Sequence, residues 1–574
     1  MSCAKLLDLS EDVLIYLFAF LSVPEILCIR QTCRLLSETT NQSIVWISAW
    51  ETQIFRKGYP FPNLNIENMS RSELEQRTRH AYRLAQKWLH EYPNSTNYRD
   101  PTHTPLSSLL PHRDIYWVVS PSIPITDVRF IRSVRHPSSG AQSNIIMEES
   151  ILVLSVSKGI WSVLTIWEVP LTLHGNDNAG PRKCTDWSPK GGIFTGLCLN
   201  HEDNAEADLA VSLVCEGRHE IDLFNISDAG ELLQICIIPS VPLRANVSEE
   251  DTLHLQTMRP MKPMNLSGHV LAMSDDTAST VIYNWKSGAF AVLEHEEDEA
   301  GVWKHDHVIL VVFAYKSILV VRARSLHLFP EPELCLAVPS SSDSSVGLPV
   351  YPPIASHTFG WVDGVSVVPI YPNPSDRSQP GILKLLVRLQ SDNPWMANEH
   401  SLDLYELWLN PDFSATAEHA QANEADSPTL SAPSSTATPY SFPPTYTSRV
   451  TSTRGSLRCT DLLLGKCGTA IWVKPGERAT HGLLTSDVYY AYFARTFGGI
   501  AGAESTAMDA DVDGKAAETL VAGTFPGPLN PEDNVRTRKI YKNALNNWTA
   551  LDYDEAIGRV VLGDAAGGVR ILQL

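Results

Sequence analysis

From about residue 113 to its end, the chain is written in short β segments separated by turn residues. The clearest are Ile151–Val156, Leu164–Val169, Leu209–Val214, Ile221–Ile226, Val270–Met273, Val281–Trp285, Val308–Phe313, Ile318–Val321, Leu385–Leu389, Leu402–Leu409, Ala470–Val473, Arg559–Leu562 and Val569–Leu572. No helical run separates them, which excludes an alternating α/β sheet. With 43% hydrophobic and 19% charged residues, the chain can bury a core, so a mostly disordered or fibrous protein is excluded.

Several segments share a style. Leu164-Thr165-Ile166-Trp167-Glu168-Val169 and Val281-Ile282-Tyr283-Asn284-Trp285-Lys286-Ser287-Gly288 resemble the strand before a tight turn in a WD-type repeat. Leu402–Leu407 is a weaker case, and Gly558–Leu572 reads as a hairpin of the same kind, although no Trp-Asp pair closes any unit. Loose recurrence of four-stranded units implies a β-propeller of about seven blades; a pair of β-sandwiches is the other all-β arrangement. The chain ends inside an apolar segment, Val569–Leu574. A free apolar edge is costly, so this strand is expected to close the ring by pairing with one from residues 113–132. Residues 411–456 are rich in Ser, Thr, Ala and Pro and are expected to form a disordered insertion at 411–456 within a propeller spanning 113–574. Ser340–Ser345 and Pro372–Pro380 read as smaller loops of this kind.

Residues 1–50 follow a helical period instead. Leu9, Val13, Leu14, Leu17, Phe18 and Leu21 recur at spacings of three and four. Ser10 is placed as an N-cap, Glu11 and Asp12 suit the start of a helix, and Pro24 suits the first turn of the next. In the linker, residues 51–112, Ser70-Arg71-Ser72-Glu73 forms a capping box ahead of a stripe of Leu74, Thr78, Ala81, Ala85 and Trp88. The fold expected is therefore α+β and multidomain: a small all-α module, a helical linker and an all-β propeller.

Catalytic signals are sparse. The sequence has no G-x-S-x-G elbow, no H-E-x-x-H, no P-loop and no G-x-G-x-x-G after a strand. His295–Glu299 reads as a solvated acidic loop, and His305 with His307 lacks a third ligand. Asp509–Gly514 matches half a calcium loop, but Leu520 stands where the closing Glu belongs. Neither metal nor cofactor is expected. Arg536, Arg538, Lys539 and Lys542 form the densest basic cluster, readable as a phosphopeptide site, a nuclear signal or, most simply, a solvated edge strand. A formal charge of −20 disfavours nucleic acid and anionic membranes as partners. Val13–Leu21 is too short to span a bilayer; Val308–Val321, interrupted by Lys316 and Ser317, reads as two strands and a turn. The ten cysteines form no C-x-x-C pair, and no secretory leader opens the chain, so an intracellular protein with reduced thiols is expected.

The run from Leu9 through Val23-Pro24-Glu25-Ile26-Leu27 and Arg30-Gln31-Thr32-Cys33-Arg34 to Val45-Trp46 resembles an F-box. Ser10 replaces the usual Pro, and Leu36 and Thr39 depart from the third-helix pattern. The likeness covers the first fifty of 574 residues. It implies docking on the Skp-type adaptor of a cullin-RING ubiquitin ligase through Leu9, Leu14, Leu17, Phe18, Leu21, Pro24, Ile26, Leu27 and Trp46. F-box, linker and propeller together resemble substrate-recognition subunits of SCF-type E3 ligases, which are non-catalytic and hold a substrate protein by the propeller. A non-degradative propeller scaffold and a propeller enzyme with an acidic central site are the alternatives.

Overall fold

A computed structural model describes residues 9–62, 66–89, 109–136, 148–170, 180–202, 205–239, 261–275, 279–294, 306–336, 350–371, 380–390, 399–413, 438–453, 458–476 and 517–574. Four short helices open the chain: α1 (Glu11–Phe18), α2 (Val23–Arg30), α3 (Arg34–Thr40) and α4 (Ser43–Trp50). One π turn continues α4, and α5 (Arg71–Leu89) follows. Ser10 occupies the N-cap of α1 through its carbonyl, which accepts from the Val13 and Leu14 amides. Glu25 caps the start of α2, accepting from the Ser22 amide at 2.7 Å and the Ser22 hydroxyl at 2.8 Å, and these bonds lower its pKa.

The strands then run in chain order. After β1 (Arg113–Val118) come β2 (Ile125–His136), β3 (Glu148–Lys158), β4 (Ser162–Pro170) and β5 (Arg182–Trp187), which form blade 1. Blade 2 holds β6 (Ile193–Leu199), β7 (Leu209–Cys215), β8 (Arg218–Ile226) and β9 (Leu232–Pro239). Blade 3 holds β10 (Lys262–Ser267), β11 (Val270–Ser274), β12 (Ser279–Asn284) and β13 (Phe290–Glu294). Next come β14 (Val308–Ala314), β15 (Ser317–Arg322), β16 (Ser325–Pro330), β17 (Val350–Tyr351) and β18 (Ala355–Thr358). Here β18 completes blade 4, while β17 returns to lie parallel to β13 as a fifth strand of blade 3. Blade 5 is β19 (Trp361–Ile370), β20 (Ile382–Gln390), β21 (Glu399–Leu407) and β22 (Thr445–Thr453). Blade 6 is β23 (Leu462–Leu464), β24 (Thr469–Lys474), β25 (Glu518–Thr524) and β26 (Arg536–Asn543). Finally β27 (Trp548–Asp554), β28 (Arg559–Asp564) and β29 (Gly568–Gln573) join β1 as blade 7.

The ring thus closes as the apolar C-terminus demanded. Strand β29 pairs antiparallel with β1, from Arg113 opposite Gln573 to Val118 opposite Gly568. Apolar clusters fill each of the seven junctions between neighbouring blades. A central strand is buried on both faces, which is why β15 and β25 read as continuous rather than alternating segments. The 308–321 run is two strands around Lys316, whose φ of 47° makes the tight turn.

One expectation is corrected. Of the stretch 411–456 expected to be disordered, Thr445–Thr453 is β22, the outer strand of blade 5, and Tyr440 is buried in the cluster between blades 4 and 5 with its hydroxyl donating to the Gly381 carbonyl. An outer strand needs little apolar area, and β-branched Thr and Val with Tyr suffice, so composition misread it. Residues 414–437, with the expected loops at 340–345 and 372–379, lie outside the described residues.

Candidate functional site

Alternating strand direction sorts the loops. Connections between first and second, and third and fourth, strands of a blade emerge on one face; the others emerge on the opposite face. The helices sit on the first face, over blades 6 and 7. The His80 imidazole Nε2 lies 3.1 Å from the Ile557 carbonyl in the β27–β28 turn. Gly558, at φ 64°, faces Leu84, whose Cδ1 would lie 2.6 Å from any added Cβ. Trp88, Leu84 and Ala85 enter the cluster between blades 6 and 7, beside Ile540, Leu551 and Val560.

The basic cluster on β26 has its role here. Arg538 is 3% exposed and donates to the backbone carbonyls of Lys87 and Trp88, the latter at 3.0 Å. Arg536 donates to the Leu89 carbonyl at 3.5 Å. A guanidinium at the last carbonyls of α5 satisfies acceptors that lack helical partners and faces the negative end of its dipole. The solvated-edge reading of this cluster is therefore corrected for Arg538. Sequence spacing showed the charges, but their helical target lies some 450 residues upstream, so the pairing was illegible.

Within the helical module, Arg30 ties the elements together. It donates to Glu75 on α5 at 2.7 Å and to the Thr40 hydroxyl and carbonyl, and it lies 5.4 Å from the Trp46 ring centroid. The Trp46 indole donates to the same Thr40 carbonyl at 3.0 Å.

The nine residues singled out by the sequence divide into three groups. Leu14, Phe18, Ile26 and Trp46 are buried in the module's own core with Val23, Leu36, Val45 and Leu74. In this chain these four hold the helices together from inside. Leu21 and Leu27 are half-buried against that core, and Leu9, Leu17 and Pro24 are exposed. The outer face of α1 and of the turn that follows it is instead Val13, Tyr16, Leu17 and Phe20, at the helical spacing of three, four and seven. Tyr16 and Phe20 are 66% and 68% exposed, and their rings meet edge to face at 5.2 Å. Leu35 on α3 and Ile44 and Ile47 on α4 are also exposed, and α1 packs against both helices. The period was legible in the sequence, but an apolar stripe all around a short helix does not say which side faces in.

Charge concentrates elsewhere, on the inner strands. Burial pushes Asp127 on β2 up to about 6, against the pull of Arg129 at 3.1 Å. Nearby, Asp552 accepts from the Phe130 amide at 2.8 Å, and Asp461 accepts from the Leu551 amide at 2.8 Å. These carboxylates join blade 7 to blade 1 and blade 6 to blade 7. Among the described residues no group of three or more His, Cys, Asp or Glu could hold a metal ion, and no helix is long and apolar enough to cross a membrane. His295–Glu299, His305 and Asp509–Gly514 lie outside the described residues.

No family model and no curated protein matches the chain. Solved structures do. A chain of the humanized mutant of the Chaetomium thermophilum Polycomb Repressive Complex 2 is similar at 12% identity, over 81% of this chain and 97% of that one, with a TM-score of 0.40. The Myceliophteria thermophila Cps50 (Swd1) β-propeller domain is similar at 9% identity, over 80% and 99%, with a TM-score of 0.37. A chain of the Mitotic Checkpoint Complex is similar at 8% identity, over 85% and 98%, with a TM-score of 0.36. The seven blades rest on the sheets of this chain rather than on these remote likenesses.

Proposed function

We propose that this chain is the substrate-recognition subunit of an SCF-type ubiquitin ligase. In this reading its N-terminal helices dock on the Skp-type adaptor and its propeller holds a substrate protein. The observation that carries it is the exposed Val13, Tyr16, Leu17 and Phe20 face on a module clamped to blades 6 and 7. An apolar helix face offered to a partner groove is a recurrent docking mode. The clamp leaves the opposite propeller face free of the helices; there the β3–β4 turn presents Ile160 and Trp161, 88% and 44% exposed. Such a subunit needs no nucleophile or base of its own. It contributes by holding the substrate near the ubiquitin-loaded enzyme, which raises the effective concentration of the reacting groups.

The test is capture of a purified Skp-type adaptor by the full chain and by the Tyr16→Ala/Phe20→Ala variant. The reading requires capture by the first and its loss in the second at unchanged thermal stability. Equal capture by both removes the reading. Reconstituted ubiquitin transfer that depends on residues 9–50 separates this role from a non-degradative scaffold that uses the same helices.

A further inference from the structure

The outermost strand of blade 2 differs from its six counterparts. Natural sheets protect a free edge with charge, brevity, proline or a bulge; β9 has the last two, Pro239 at its end and a bulge against β8, but neither charge nor brevity. Strand β5 carries Arg182, Lys183 and Asp186, β22 carries Arg449, β26 carries four basic residues, and β1 carries Arg113 and Asp114. Strand β18 has no charged residue but only four residues, and β13 is covered by β17. Strand β9, Leu232-Leu233-Gln234-Ile235-Cys236-Ile237-Ile238-Pro239, has eight residues and no charge. Among the described residues nothing pairs with its outer edge. Leu233 is 64% exposed and Ile237 52%, with Ile235 exposed between them.

The register shows what shape of partner fits. Leu233 lies opposite Asn225 and Ile237 opposite Asp222. Those two residues are three apart on β8, so Leu233 and Ile237 stand on opposite faces of the blade, on either side of the β-bulge at Leu223/Phe224. A flat partner surface covers one of them. An added strand covers both, because its side chains alternate in the same way and pair across the edge on each face. The molecule already contains this device: Val350 and Tyr351 of β17 lie beside Val292 and Leu293 of β13.

Charge selects among occupants. Asp228 and Glu231 are exposed at the start of β9; the cation beside them, Arg132 at 3.5 Å from Asp228, also faces Asp208 at 3.8 Å, so the acidic groups outnumber it. Asp222 is 3% exposed beneath it; its Oδ2 accepts from Gln234 at 3.0 Å and its Oδ1 has no hydrogen-bond partner. At the far end Arg218 offsets Glu220. The edge is thus apolar in the middle and acidic at one end. A second copy would bring another net −20 against it.

We propose that β9 is a strand-addition site that receives an extended segment of a partner protein, aliphatic at alternate positions and basic at its end, as a fifth strand of blade 2. This does not depend on what the helices bind. The probe is a fluorescein-labelled eight-residue peptide alternating valine and threonine between terminal lysines, titrated into the full chain and followed by anisotropy. Saturable binding is expected, weakened at least tenfold in Leu233→Lys/Ile237→Lys, at least tenfold weaker for the peptide with glutamate ends, and unchanged in Tyr16→Ala/Phe20→Ala. The pair Leu233→Thr/Ile237→Thr keeps the β propensity of the strand and is also expected to lose affinity.

No saturation up to about 1 mM, an affinity that already corresponds to only a few kcal/mol, overturns the proposal. So does equal binding by both lysine and threonine variants, or equal binding of the glutamate-ended peptide. Dimeric mass in light scattering that the lysine variant returns to monomer assigns the edge to a second copy instead. A tenfold gain in peptide affinity when residues 241–258 are replaced by a Gly-Ser linker assigns it to this chain's own segment.

Discussion

The helical module and the propeller solve the same problem in opposite ways. In the propeller every blade buries both faces against neighbours, and the ring closes on itself through β1 and β29, so its exposed apolar side chains, such as Ile160, Leu233 and Leu545, are spread over a much longer stretch of chain than those of the helices. The module has too few residues to do this. It packs Leu14, Phe18, Ile26 and Trp46 inside and leaves Val13, Tyr16, Leu17, Phe20, Ile44 and Ile47 out. Small units rarely bury all their apolar surface alone. A closed ring is self-sufficient, whereas a four-helix cap must borrow a surface: α5 borrows one from blades 6 and 7, and α1 still offers one.

The largest effect expected is loss of closure. Deleting Val569–Leu574 removes β29, which pairs with β28 on one side and β1 on the other, and opens the ring at the cluster between blades 7 and 1. The cooperative unfolding transition of the propeller, followed by circular dichroism, should disappear. A truncated chain with an unchanged transition would break the contrast with the helices.

Next in size is the seam between the two regions. Trp88→Ala empties a buried site in the cluster between blades 6 and 7 and should cost about 3–5 kcal/mol. Arg538→Ala leaves the last carbonyls of α5 without their donor and should cost about 1.5–3 kcal/mol. Protease cleavage between the linker and β1 should accelerate in both, while the propeller fragment remains resistant.

Within the module, Phe18→Ala and Phe20→Ala sharpen the inside–outside division. Phe18 is 3% exposed, and its loss should cost about 3–5 kcal/mol of module stability, which under the proposed docking weakens adaptor capture through unfolding. Phe20→Ala should change stability by no more than about 0.5 kcal/mol and still reduce capture. Chemical denaturation alongside pull-down separates the two. Equal destabilisation by both would place Phe20 inside.

Smaller again is a pH effect confined to the propeller. Burial, with Glu220 nearby, raises Asp222 to about 6, above its ordinary 3.8. The folded state therefore holds this proton more tightly than the unfolded chain does. Stability from this group increases as pH falls from 7 through 6 toward 4. Asp127, also raised to about 6, works in the same direction. Asp222→Asn should flatten part of that rise in melting temperature, and an unchanged slope would remove Asp222 as a contributor. The smallest effect expected is from replacing residues 414–437 with a short Gly-Ser linker. Loop length costs only about 0.6 kcal/mol per doubling, so the melting temperature should barely move. Extending the replacement through 452 should lower it, because β22 and Tyr440 go with it.

Local period and composition determined a great deal on their own. Spacings of three and four placed α1, α2 and α5, the Ser70 hydroxyl that accepts from the Glu73 amide marked the start of α5, and apolar runs broken by turn residues placed most of the strands. An apolar C-terminal segment demanded a partner strand early in the ring. Each of these follows from neighbours within one or two turns of chain, where the physics is local. Tertiary structure alone decided which side of α1 faces out, that Arg538 caps a helix some 450 residues away, that Thr445–Thr453 is a strand, and that among the described residues β9 has no strand on its apolar outer edge. Those outcomes depend on what lies across from a residue in space. Burial and pairing come from the whole assembly, and a side chain's own sequence window does not contain its partner.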